Sequence, residues 1–221
     1  GLGHSDPGPV PRDGAAIATD LEALLSAVGE AGPLVFVGHS MGGLLARVFV
    51  GRNRERVLGV VLVDAVTPEL MDVRLGAVAV HAYRGMMRVL GLSAWLGYMR
   101  PVARVIGNLI GLDGEAAVEK RRIYASAVHA RWSAEEVRRW PVTSQIGRTL
   151  GAFDPQLPVA VVTAGAEGTA RRLKAIQSAP AQASSYGYVR HVEGSNHASL
   201  LGLRFADPIV DGVVHVLKRR D

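Results

Sequence analysis

Short, almost uninterrupted runs of apolar residues, separated by stretches with helical spacing, restrict the fold of this chain more than any other feature. These runs predict strands at 34–37, 57–63 and 159–163, and a further strand is predicted at 188–192. The stretches between and around them predict helices at 15–28, 44–50, 170–178 and 208–217. Strands that are apolar along their whole length are buried on both faces, as in a parallel sheet covered by helices. The sequence therefore predicts an α/β fold built on a mostly parallel sheet.

The alternation of strands and helices stops between residues 67 and 150. No convincing strand occurs there, and the spacing predicts helices at 74–90, 94–110, 114–131 and 134–140. Ser133 and Glu136 match a capping box that would begin the last helix, and Pro141 is expected to end or kink it. We therefore expect one core, residues 1–66 and 151–221, interrupted by a helical cap insertion, residues 67–150.

Composition narrows the classes of function. The chain of 221 residues is 48% hydrophobic and 20% charged, as expected for a globular protein. It contains no cysteine, which excludes disulfides, thiolate zinc sites and cysteine nucleophiles and suits a cytoplasmic location. No run of 18 uncharged apolar residues occurs, so the sequence predicts no transmembrane helix. We also expect neither a metal nor a cofactor.

The positive charge of the chain is concentrated in the insertion. The formal net charge is +5, and residues 67–150 hold 12 Lys/Arg against 7 Asp/Glu, while the rest holds 13 of each. The simpler interpretation is a solvated helical surface, and the more specific one is a binding site for an anionic lipid or an anionic substrate. No nucleic-acid-binding motif accompanies the basic residues, so nucleic acid is not expected as a partner.

The motif Gly38-His39-Ser40-Met41-Gly42-Gly43 lies between a predicted strand and a predicted helix. A G-x-S-x-G pattern in that context is typical of a sharp turn that exposes a nucleophilic serine. Gly38 and Gly42 would let the strand and the helix approach closely, and the Met41 N–H would be one donor to an oxyanion. The alternative is a glycine-rich turn without catalysis.

In these features the chain resembles the α/β-hydrolase superfamily, in its esterase, lipase and haloperoxidase-like branch. The resemblance is carried by the serine motif, by Val-Leu-Val-Asp-Ala at 61–65, by Gly-Ser-Asn-His-Ala at 194–198 and by the opening Gly-Leu-Gly-His-Ser-Asp. It implies an α/β-hydrolase fold and a triad in the order serine, acid, histidine. Relative to that family the early strands are expected to be absent, leaving an unpaired edge near the Val35 strand. No His-Gly dipeptide is present to supply the second oxyanion donor.

The resemblance also identifies the base among seven histidines. His197 alone lies in a loop after a late strand and before the closing helix, where the family places its base. His39 lies within the serine turn and His4 in the opening loop, where each would shape the pocket. The others fall in predicted strands or helices, namely His81, His129, His191 and His215.

Two carboxylates compete for the role of triad acid. Asp64 ends the apolar run 60–63, a strand from which certain lipases and haloalkane dehalogenases take their acid. Glu167 follows the strand after the insertion, the commoner location, but a glycine stands at the usual acid position, Gly168. We prefer Asp64 and keep Glu167 as the alternative.

The resulting hypothesis is a serine hydrolase that cleaves a carboxylic ester with an apolar part through an acyl-enzyme on Ser40, with His197 as general base. The alternative is a hydrolase-fold ligand-binding or degenerate non-catalytic protein. The expected partner is a small-molecule ester, with binding to a membrane surface as a weaker alternative. Candidate residues of the substrate pocket are His39, Trp95, Tyr98, Met86 and Met87.

Overall fold

A computed structural model describes residues 2–168 and 170–218, without the side chains of 74–77 and 79. In this part of the chain one parallel sheet is present, with its strands in the order in which they occur along the chain. The strands are β1 (Leu34–His39), β2 (Val57–Val63), β3 (Val159–Ala164) and β4 (Gly187–Val192). The prediction of a mostly parallel sheet is confirmed, since each predicted strand is present within two residues of its expected bounds.

Helices alternate with the strands at both ends of the chain, and the insertion is helical, as predicted. Before the insertion lie α1 (Gly14–Ala27) and α2 (Gly42–Arg52). The insertion contains α3 (Pro68–Met71), α4 (Arg74–Trp95), α5 (Met99–Ile106), α6 (Gly114–Tyr124) and α7 (Ala127–Thr149). After it lie α8 (Arg171–Gln182) and α9 (Asp207–Lys218).

The predicted bounds of α7 were wrong. Its N-cap is Ser126, whose hydroxyl accepts a hydrogen bond from the His129 N–H, so Ser133 lies within the helix and begins nothing. The helix also continues through Pro141 to Thr149. Its second half buries Thr143, Ser144 and Gly147 against the core, and this packing outweighs the backbone hydrogen bond that a proline removes.

The two faces of the sheet bury alternate residues of the same strands. Val60 and Leu62 of β2 face the cluster that contains α1 and α2, while Val61 and Val63 face the opposite cluster, which contains Val216 of α9. All four valine and leucine side chains are at most 1% exposed. Burial on both faces explains why β2 and β3 read as almost unbroken apolar runs.

The second half of α7 joins the insertion to the core. Thr143 Oγ1 accepts a hydrogen bond of 2.8 Å from the N–H of Gly14, the first residue of α1. On α2, Arg47 donates to the Gly151 carbonyl at 2.9 Å and pairs with Glu69 of α3. These contacts fix both ends of the insertion against α1 and α2.

Strand β1 lies at one edge of the sheet in the described part of the chain, as expected. Its Val37 side chain is 49% exposed, whereas the valines of β2 and β3 are buried.

Glycines allow α2 to begin directly after β1. A Cβ added to Gly38 would lie 2.5 Å from the Gly42 carbonyl oxygen, and one added to Gly43 would lie 2.5 Å from the Val66 carbonyl oxygen. A Cβ added to Gly42 would meet nothing within 4 Å. The predicted need for glycine at position 38 is therefore confirmed, but the second close approach is made by Gly43 and not by Gly42.

We predict that Gly43→Ala lowers the free energy of unfolding by about 1–3 kcal/mol, because the new methyl group meets backbone that has no rotamer with which to yield. Gly42→Ala is the matched control at the neighbouring position and should change stability by less than about 1 kcal/mol. Urea unfolding of the two variants measures the difference, and equal losses would contradict this account of the turn.

Candidate active site

Ser40 occupies a strained turn between β1 and α2. Its φ is +54°, a left-handed conformation that residues other than glycine rarely adopt and that costs of order 1 kcal/mol. Backbone hydrogen bonds hold it there: the Ser40 N–H donates to the Val63 carbonyl at 3.2 Å, and the Ser40 carbonyl accepts from the Val66 N–H at 2.8 Å. The side chain is half-buried at the carboxyl end of the sheet, directly before the N-terminus of α2.

Asp64 and His197 form a hydrogen-bonded pair at the same end of the sheet. His197 Nδ1 lies 2.7 Å from Asp64 Oδ2, although the two residues are 133 positions apart in the chain. Since an ionised carboxylate only accepts hydrogen bonds, Nδ1 carries the proton. In the neutral ring Nε2 of His197 is then the acceptor, which is the form that a general base requires.

The surroundings of Asp64 favour its ionised form. Burial raises the pKa of the Asp64 carboxyl, but the hydrogen bond and charge of His197, the Ala164 N–H and the Gln177 amide together lower that pKa below its usual value. The Ala164 N–H and Gln177 Nε2 both donate to Oδ1, each at 3.4 Å, while His197 occupies Oδ2. Both oxygens are therefore in contact with donors.

His39 holds the loop that carries His197. Its Nε2 donates to the His197 carbonyl oxygen at 3.0 Å, and the two imidazole rings lie 4.5 Å apart, centroid to centroid. Burial, followed by the neighbouring His197, lowers the pKa of His39. A neutral His39 with its proton on Nε2 makes this contact without repelling His197 when that ring becomes charged.

The support that α8 gives to Asp64 was not predicted. Gln177 donates to the Ala65 carbonyl at 3.2 Å as well as to Asp64, and Lys174, three residues earlier on the same helix, donates to the carbonyls of Gly165 and Ala166 at 2.5 Å. Lys174 thus fixes the turn that follows Ala164. Nothing in the sequence distinguishes this glutamine and lysine from surface residues of an ordinary helix.

Glu167 lies elsewhere. It is exposed and borders a depression shared with Arg171 and His191, whereas Asp64 is the carboxylate in contact with His197.

Comparison with known proteins agrees with this arrangement of strand, turn and helix. A family model described as the alpha/beta hydrolase fold matches residues 1–84. The chain has the α/β-hydrolase fold. A comparison with curated proteins finds no match.

Solved structures with the α/β-hydrolase fold resemble almost the whole chain. An esterase from Thermogutta terrifontis is 19% identical, with 98% of this chain and 77% of that one covered and a TM-score of 0.64. A haloalkane dehalogenase loop variant from Bradyrhizobium elkanii is 16% identical, with 98% and 77% covered and a TM-score of 0.69. A structure described as a putative lipase from Acinetobacter baumannii is 16% identical, with 97% and 71% covered and a TM-score of 0.60.

Around this hydrolase core, the predicted pocket residues fall in different places. His39 lies beside His197, whereas Trp95 and Tyr98 are 76% and 68% exposed on the insertion. Met86 is also exposed, and Met87 is buried in a groove between α4 and α7 whose lining does not include Ser40, Asp64 or His197. The Met41 N–H directly follows Ser40 at the start of α2, as the sequence implied.

The remaining histidines have structural contacts. His4 pairs with Glu119 of α6 at 2.6 Å, and His129 accepts from the Gly3 N–H at 3.2 Å, so both tie the opening loop to the insertion. His191 Nδ1 contacts Thr163 Oγ1 at 2.6 Å, and His215 donates to the Tyr186 carbonyl at 3.1 Å.

Across residues 2–168 and 170–218, no cluster of three or more metal-ligating side chains occurs. Over the same ranges, no helix is long and apolar enough to cross a membrane.

The lowered pKa of Asp64 predicts how stability depends on pH. A carboxyl whose pKa falls on folding stabilises the native state above its unfolded pKa, about 3.9, and loses that contribution as the pH falls through its folded value. The difference in free energy of unfolding between the wild type and Asp64→Asn should therefore shrink as the pH falls from about 5 to below the unfolded pKa of about 3.9. Asp211→Asn, at an exposed position on α9, is the control, and a difference that is independent of pH for both variants would contradict the prediction.

Proposed function

We propose that the chain is a serine hydrolase that cleaves a carboxylic ester, with Ser40 as nucleophile, His197 as general base and Asp64 as the acid that orients it. The observation that carries this proposal is the Asp64–His197 pair, in which Nδ1 of His197 is bound to the carboxylate and Nε2 is left for proton transfer, at the same end of the sheet as the strained Ser40 turn. A glycine-rich turn without catalysis would not need a histidine fixed in this tautomer.

In the first half of the reaction, Ser40 Oγ attacks the ester carbonyl carbon while His197 Nε2 takes the hydroxyl proton. The imidazolium that forms is stabilised by Asp64, which remains ionised. His197 then returns the proton to the departing alkoxide, and an acyl group remains on Ser40. Water repeats the sequence on the acyl-enzyme and releases the carboxylic acid and free Ser40.

The negative charge that develops on the carbonyl oxygen would be stabilised at the start of α2. The Met41 N–H lies at the N-terminus of this helix, where backbone donors have no partner within the helix.

The esterase and the structure described as a putative lipase support an ester as substrate, since they share the fold over most of this chain. In this proposal the cap comprises residues 67–150, between the two parts of the core, 1–66 and 151–221.

Replacement of the proposed nucleophile is the direct test. Ser40→Ala should abolish labelling by a fluorophosphonate probe and reduce hydrolysis of p-nitrophenyl esters, by as much as about 10⁶-fold for a full triad. Ser185→Ala, remote from the site, should label and turn over like the wild type. A wild-type chain that neither labels nor hydrolyses any ester in a chain-length panel would favour the non-catalytic alternative.

Two variants test which carboxylate is the triad acid. Asp64→Asn should lower kcat by about 10⁴-fold, because an amide can hold His197 in the wrong tautomer, as in the serine-protease case. Glu167→Gln, an equally conservative change at an exposed carboxylate, should leave kcat nearly unchanged. Steady-state kinetics on one ester checks both variants, and the reverse ranking would assign the acid to Glu167.

A further inference from the structure

An open groove of about 970 Å³ lies between α4 and α7, next to Val10 and Pro11 of the opening loop. Five arginines and one glutamate line it, together with a floor that includes Met87, Trp95 and Trp132. Five of the 12 Lys/Arg residues of the insertion therefore line this surface, which we call the α4–α7 groove. Because its lining does not include Ser40, Asp64 or His197, it is distinct from the proposed catalytic site.

Helical spacing explains how the side chains converge. Arg84, Arg88 and Trp95 lie on one side of α4, and Arg131, Glu135 and Arg138 recur at intervals of three and four residues on α7. The helices approach at small residues: a Cβ added to Gly91 would lie 3.5 Å from the Ala130 Cβ. Long side chains around this crossing are thus directed into the same space.

The groove has more positive charge than its own acid can neutralise. Glu135 contacts both Arg138 and Arg139. For Arg84, Arg88 and Arg131, by contrast, no carboxylate of the described residues lies within 4.0 Å. Arg131 instead lies over the Trp132 ring at 5.5 Å. Three guanidinium groups without a carboxylate partner on one surface create a strong field for an anion.

The floor of the groove exposes apolar surface beside these charges. Trp95 is 76% exposed, Leu92 59% and Val128 58%. A simple inorganic anion would neutralise the arginines but leave this apolar surface in water. A ligand with an anionic head and an apolar chain satisfies both at once.

We propose that the α4–α7 groove binds an amphiphilic anion, a carboxylate or phosphate carried on an apolar chain. Arg84 and Arg88 of α4, with Arg131 of α7, hold the head group, and the chain lies over Trp95 and Met87. The site requires no chemistry at Ser40, so it stands whether or not the proposed hydrolase activity does.

Decanoate, kept at monomeric concentrations, is a suitable probe because Trp95 and Trp132 report its arrival by a change in intrinsic fluorescence. We expect decanoate to bind the full chain saturably. Neutral decanol, which lacks the charge, and acetate, which lacks the apolar chain, should each bind about tenfold more weakly. Binding should also weaken as the salt concentration rises.

Two double variants test the role of the arginines. Arg84→Gln with Arg88→Gln should weaken decanoate binding at least about tenfold. Arg100→Gln with Arg104→Gln removes the same charge from exposed positions on α5, outside the groove, and should change binding by less than about twofold. Thermal unfolding shows that both variants remain folded, and Ser40→Ala should bind decanoate like the wild type.

The outcomes separate a ligand site from a charged surface. Equal losses in the two double variants would overturn the proposal, because net charge alone would then explain binding. The proposal would also be overturned by a chain that binds phosphatidylglycerol vesicles but no monomeric decanoate, since its ligand would be a membrane surface. Binding of monomeric decanoate that is lost only with Arg84 and Arg88 supports it, and added vesicles then show whether the same head group is also drawn from lipid.

Discussion

The parallel pairing of β1 with β2 places two strained turns, at Ser40 and Asp64, side by side at the carboxyl end of the sheet. Asp64 also has a positive φ, +40°, and its N–H donates to the Val162 carbonyl of β3 at 2.7 Å. The same ladders that build the sheet thus hold both residues in conformations that an isolated chain would avoid. The remaining parts of the candidate site are arranged around these two turns.

Support for Asp64 comes from elements far apart in the sequence. The Ala164 N–H, at the end of β3, and the Gln177 amide, on α8, share one carboxylate oxygen, while His197 takes the other. On the opposite side of His197, His39 holds the backbone of the same residue. The imidazole is therefore restrained both through its ring nitrogen and through its main chain, which limits its rotation.

The sequence predicted the structure best where a local pattern is compatible with only one arrangement of the backbone. Unbroken apolar strands require cover on both faces, and the serine motif between strand and helix requires a tight turn, so the sheet and the position of Ser40 could be predicted. Residues whose role depends on the tertiary structure could not. α7 continues through Pro141 because Thr143 and Gly147 pack on the core, and Gly43 is needed because Val66 lies behind it. Gln177 contacts Asp64 only after α8 has packed against the sheet.

The position of β1 at the edge of the sheet has a consequence for any strand that pairs with it, within this protein or between molecules. Among the described residues, the side of β1 opposite β2 has no strand partner, and the strand ends at His39, one residue before Ser40. A parallel strand added there would end beside Ser40, and an antiparallel one would begin there. In either orientation the joining strand would place one of its terminal loops on the side of the serine that faces away from Asp64. Strand addition at this edge would thus reshape the candidate site as well as extend the sheet.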